Sequence, residues 1–82
     1  MGKHAMGSGT TDSILKYQKN EITEHVLYGR LAARARGKNA AVLKKISEDE
    51  LRHYHYFKKV TGREIRPDRF RVWLFGVVSR IF

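Results

Sequence analysis

The chain has 82 residues, with 17 Lys and Arg against 8 Asp and Glu, for a net charge of +9. That length holds one domain, and the absence of Cys excludes disulfide frameworks, zinc fingers, thiol catalysis and iron–sulfur clusters. No apolar run reaches the roughly 18 residues that span a bilayer, and no signal-peptide pattern is seen. The charge suits nucleic acid, an anionic membrane or an acidic partner without choosing among them.

Residues 1–10 contain Gly and Ser and show no apolar period, so they read as a disordered leader or an expression remnant. Helical spacing begins at Ile14. Ile14, Tyr17, Glu21, Glu24, Tyr28, Leu31 and Ala35 recur in steps of 3 and 4, which is the a/d seam of an α-helix. Thr10 or Thr11 is the expected N-cap, with Asp12 in the first turn. Gly37 suits the residue just past the helix end.

Asn39 is the next expected N-cap. A second seam follows through Leu43, Ile46, Glu50, His53, Phe57 and Val60. Lys58 and Lys59 complement its C-terminus, and Gly62 ends it. Gly37-Lys38-Asn39 is a link too short for anything but an antiparallel hairpin. The expected hairpin domain is 11–62.

Residues 63–82 form a basic and apolar C-terminal segment. Pro67 is expected at the first position of a third, shorter helix. Phe70, Trp73, Leu74, Val77, Val78 and Ile81 fall on one broad face. Arg63, Arg66, Arg69 and Arg71 precede or open this helix, an order that resembles a juxtamembrane segment. The other reading packs it over the open end of the bundle. The apolar run reaches Phe82, which reads as a chain cut short or an end covered by a partner.

The chemistry lies in the polar residues of the two seams. Glu21 and Glu24 interrupt the first, and Glu50 and His53 the second. Carboxylates at core positions cost several kcal/mol each unless paired. An antiparallel hairpin turning at Gly37 pairs residues whose numbers sum to about 74. Glu24 then faces Glu50, Glu21 faces His53, and Tyr17 faces Phe57. Glu50-x-x-His53 places a carboxylate and an imidazole on one side of a helix. Two hairpins about a two-fold axis then supply a Glu from each of two helices and Glu-x-x-His from the other two. Four carboxylates balance two divalent cations, and oxygen ligands with one imidazole per metal suit Fe or Mn.

These residues carry a resemblance. Glu21 with Tyr28 seven positions on, followed by Glu50-x-x-His53, resembles the first half of the ferritin-like, rubrerythrin-type di-iron carboxylate family. Gln18-Lys19-Asn20-Glu21-Ile22-Thr23-Glu24-His25 and Val72-Trp73-Leu74-Phe75 are similar to rubrerythrin-like domains beside membrane segments of the vacuolar iron transporter type. The encapsulated ferritins are a second resemblance in architecture. The resemblance implies iron binding by Glu21, Glu50 and His53. The second hairpin of a full rubrerythrin and its Cys cluster have no counterpart here, so self-association must supply the missing half. The expected fold is all-α: a two-helix hairpin plus a shorter helix, dimerising into a ferritin-like four-helix bundle.

Glu24 is read as an extra ligand, a bridging carboxylate, an acid on the metal's way in, or a rim partner for Arg52 or Lys45. Tyr28 and Tyr17 are expected to pack beside the polar layers, with a hydroxyl on a ligand carboxylate. His25 and His55 fall off the seam. Tyr54 and Tyr56 read as interface or partly exposed aromatics, and Asp49 as a side-face residue. The expected function is a di-iron or Mn/Fe centre at a homodimer or higher-oligomer interface, two ions per dimer. Its chemistry is ferroxidase-like or directed at oxygen or peroxide, in the cytoplasm or at the inner membrane face. A membrane or iron-transporter partner is assigned to 63–82. The competing reading is a non-catalytic basic oligomer binding nucleic acid or a membrane partner; nucleic acid is the weaker choice because no helix-turn-helix signature appears.

Overall fold

The computed structural model describes residues 2–81, with side chains from residue 9 onward. Three helices follow in order: α1 Gly2–Arg34, α2 Gly37–Thr61 and α3 Arg69–Ile81. Among the described residues there is no strand. α1 and α2 pack along their length as an antiparallel hairpin, and α3 lies against α1.

α1 starts ahead of the cap expected at Thr10 or Thr11. Its backbone is helical through 2–10, where the sequence reads as a disordered leader. Extending an existing helix needs no new nucleus, so a weak helix former can be carried along.

The hairpin turn is tighter than the sequence implies. Only Ala35 and Arg36 separate the helices. Arg36 is extended and makes no side-chain cap, while Gly37 takes a left-handed φ of 62°. Glycine adopts that region without a Cβ penalty, so one residue completes the reversal. Asn39 therefore lies inside the first turn of α2 and does not cap it. At the other end Gly62 behaves as expected: it is left-handed, and its N–H donates to Lys58 O at 2.7 Å.

The register matches the expected sum near 74. Tyr17 stacks on Phe57 with ring centroids 6.3 Å apart, and Glu21 meets His53. The packing differs. The a/d seams do not meet as a buried core within the protomer. Their residues are half-buried along one open face, and Tyr17, His53 and Val60 are exposed. Among the described residues, the buried side chains are Gln18, Thr23, Ser47 and Tyr54. Beside the seam lie the small residues Gly29, Ala32, Ala40 and Ser47, and the two helices come together there at Gly29 and Ser47. A Cβ at Gly29 would stand 3.4 Å from Ser47 Oγ.

The segment between α2 and α3 is tied down by polar groups. The Tyr54 hydroxyl accepts from Ile65 N at 3.0 Å, so Tyr54 is a buried anchor, not an interface aromatic. Gln18 donates to Arg63 O and accepts from the Thr61 hydroxyl at 2.7 Å. Thr23 Oγ1 donates to Lys19 O at 2.7 Å and accepts from Asp68 N at 2.8 Å. The N-cap of α3 is Asp68, where Pro67 had been expected to open the helix. Asp68 Oδ1 accepts from the amides of Phe70 at 3.1 Å and Arg71 at 3.2 Å. A side-chain acceptor serves two otherwise unpaired amides; proline serves none, so it sits just outside.

α3 then runs parallel to α1. Its start is held by Arg71 Nη1 donating to Asn20 Oδ1 at 2.7 Å, and its end by Arg34 Nη1 donating to Ser79 Oγ at 2.8 Å. It packs on the flank of α1, not over the end of the hairpin. Among the described residues, no helix is long and apolar enough to cross a membrane.

Candidate metal centre

Glu21 comes from α1, and Glu50 and His53 from α2. The antiparallel register places residue 21 opposite 53, and the i, i+3 spacing places 50 beside 53. Each offers a ligand atom, and these atoms lie within 4.8 Å of one another. His53 Nδ1 is 2.8 Å from Glu21 Oε2 and 3.0 Å from Glu50 Oε1. One ring nitrogen thus faces two carboxylates on different helices.

The burial is graded. The Glu21 and Glu50 side chains are 15% and 14% exposed, whereas His53 is 59% exposed. The carboxylates therefore sit at the floor of the open face and the imidazole at its edge. Tyr17, Tyr56 and Phe57 border the same recess. The expectation of a dry interior is not met within the protomer, because the helices close on the small-residue stripe beside the seam.

Electrostatics follow the geometry. Hydrogen bonds to Glu21 and then to Glu50 raise the His53 pKa above its ordinary value, with desolvation opposing them. Glu24 is also raised. Its hydrogen bond to Glu50 is the first cause and burial the second. Two carboxylates in contact are tolerated best when one holds a proton. Glu24 thus neighbours Glu50 and lies outside the three-residue cluster.

The donor set fits a divalent first-row cation. Cis ligands on an octahedral ion with bonds of about 2.1 Å stand about 3 Å apart, and the two spacings at Nδ1 are of that size. Two carboxylates and one imidazole suit Fe(II) and Mn(II), and Zn(II) binds the same atom types. Three protein ligands leave positions open for water, a substrate or a second subunit.

The remaining sequence-derived candidates separate cleanly. Tyr17 engages Phe57 by its ring, and Tyr28 is half-buried on the same seam. His25 is structural: its Nδ1 lies 2.8 Å from Ser47 O and 3.0 Å from Ser47 Oγ, while Ser47 Oγ donates to His25 O at 2.8 Å. Asp49 pairs with Lys45 and Arg52 on the side of α2 and leaves His53 to the glutamates. Asn20 had no role in the sequence reading. It donates to Glu24 Oε1 at 3.2 Å and accepts from Arg71. The signal was its i, i+4 spacing from Glu24; the partner on α3 had none.

No protein-family model matches the chain, and neither a curated protein nor a solved structure matches it.

Proposed function

We propose that the chain is a half-site for a pair of metal ions, completed when two copies join through the open face that carries Glu21, Glu50 and His53. The carrying observation is the convergence of these three side chains on one point, with Nδ1 of His53 between two carboxylates. The resemblance of the motif to the rubrerythrin-type di-iron family supports Fe(II) as the metal and an oxidase role. Glu21, Glu50 and His53 of each copy would hold the ions, which as Fe(II) would supply one electron each towards oxygen or peroxide.

The chain's own residues have defined parts. Glu21, Glu50 and His53 bind. Glu24 stands beside Glu50, which raises its pKa, so a cation at the site would favour its ionised form. Asn20 fixes the position of Glu24. Tyr17 and Phe57 border the recess, where a second copy would close over them. The half-buried apolar residues of both seams, from Ile14 to Leu31 and from Leu43 to Phe57, are the surface that a second copy covers. Small helical hairpins of this size rarely hold a stable fold without such cover.

Metal analysis together with mass in solution tests this reading. The expected result is a dimer or larger assembly holding two Fe(II) or Mn(II) ions per pair of chains, with Glu50→Ala and His53→Ala losing the metal. A monomer that takes up no divalent ion in titration calorimetry overturns it.

A further inference from the structure

α3 leaves six large apolar side chains in solvent: Phe70, Trp73, Leu74, Val77, Val78 and Ile81. Phe70 is 65% exposed, Trp73 61% and Ile81 72%. Their spacing puts them on one face of the helix. The opposite face, with Val72, Phe75, Gly76 and Ser79, is half-buried on the side where Ser79 meets Arg34 of α1. The stripe therefore plays no part in the core of the protomer.

Its borders are basic. At about 100° per residue, Arg69 and Arg80 fall along one edge of the stripe and Arg71 along the other. Two adjoining recesses flank Trp73 between α1 and α3. Arg30, Arg66 and Arg69 line the first, and Arg30 and Arg80 the second. Among the described residues, Arg30, Arg66, Arg69 and Arg80 have no acidic partner. The nearby acids are occupied: Asp68 caps α3, and Glu64 pairs with Lys58.

The geometry points to α3 as an interfacial helix that lies on an anionic lipid surface. Its apolar stripe enters the headgroup boundary, and the bordering arginines stay at the level of the phosphates. Trp73 sits mid-stripe, a residue type that favours this boundary. α3 offers this stripe over 13 described residues, about 20 Å, along which it can rest on a surface. A second copy of this chain is the poorer occupant. Two stripes placed face to face bring Arg69, Arg71 and Arg80 of each copy to one rim, and like charges there oppose association. An anionic surface meets the same arginines with opposite charge. None of this rests on the metal site.

The test uses the whole chain with vesicles of phosphatidylcholine alone and of phosphatidylcholine mixed equally with phosphatidylglycerol. Trp73 is the single tryptophan, so its emission reports the stripe directly. Expected are co-sedimentation with the anionic vesicles, a blue shift of the emission, quenching by brominated lipid, and release at high salt. Phe70→Ser with Ile81→Ser reduces partition about tenfold or more, because two exposed side chains lose their transfer free energy. Arg66→Ala with Arg69→Ala weakens it at low salt. Helicity by circular dichroism checks that the variants fold, and the emission shift of the parent protein stands independently of them. Absence of binding to the anionic vesicles overturns the inference, as does equal binding to both vesicle types. So does an assembly in solution that Phe70→Ser with Ile81→Ser dissolves while no vesicle is bound; that outcome assigns the stripe to a second copy.

Discussion

Asn20 of α1 accepts a hydrogen bond from the Arg71 guanidinium of α3 at 2.7 Å, across 51 positions of sequence. The same amide donates to Glu24, whose pKa is raised by the neighbouring Glu50, and Glu50 faces His53. One polar chain thus joins the third helix to the candidate metal centre. Asn20→Ala breaks it at the middle. The expected cost is about 1 kcal/mol, the net worth of a partly exposed pair of such bonds. Hydrogen exchange should speed up first in the opening turns of α3. Unchanged exchange there would mean that Asp68 and Thr23 alone hold the helix.

Thr23→Val tests that second anchor. Thr23 is buried, and its hydroxyl is the acceptor for Asp68 N. Valine keeps the shape and leaves a backbone donor without its partner, at a cost of about 1–3 kcal/mol. Thermal melting measures it, with a drop of at least several degrees expected for a chain of this size. Thr23→Ser retains the hydroxyl and should recover most of the loss.

Protons and metal compete for the same atoms, which fixes the sign of the pH dependence. Both His53 and Glu24 have raised pKa values in the folded chain. A raised folded-state pKa contributes stability below the unfolded pKa and loses it as pH rises through the folded one. Metal-free protein should therefore weaken in two stages on raising pH, first through the Glu24 range and then through that of His53. Divalent metal binds the deprotonated groups, so its affinity should climb over the same two ranges. Melting curves against pH, with and without Mn(II), show both trends. A metal-free protein that grows more stable from mild acid to neutral pH contradicts the assignment.

Much of this was legible in the sequence. Period and turn residues foretold the hairpin, and the glycine at 37 set a register that the Tyr17–Phe57 and Glu21–His53 pairs obey. Glu50-x-x-His53 was visible because helix geometry converts spacing into direction. The burial was not. An a/d pattern says which residues share a face, but not which of two adjacent faces the neighbouring helix takes. Gly29 decided that through its size, and Ser47 through its hydrogen bonds to His25 on the facing helix. Gln18 and Thr23 escaped notice, and Tyr54 read as an interface aromatic, because each is held by a backbone atom of the 62–68 link, and such acceptors and donors leave no trace in residue type.

The small-residue stripe then makes a prediction about the metal centre. Glu50 and His53 share α2, so their spacing survives any separation of the helices. Glu21 does not share it. Gly29→Ala puts its Cβ in ordinary contact with Ser47 Oγ, at 3.4 Å, and removes the glycine penalty of about 1 kcal/mol in a helix interior. It should be neutral or stabilising, with the centre intact. Gly29→Leu overfills the same contact and forces the backbones apart, at about 1–3 kcal/mol. The Glu21–His53 hydrogen bond should break while Glu50–His53 persists. NMR titration reads this directly: the His53 pKa falls part of the way back, since its largest raising contact is lost and the second remains. Metal affinity should fall with it, although no ligand has been mutated. A Gly29→Leu variant that keeps the His53 pKa and the metal would show that helix spacing does not assemble the centre.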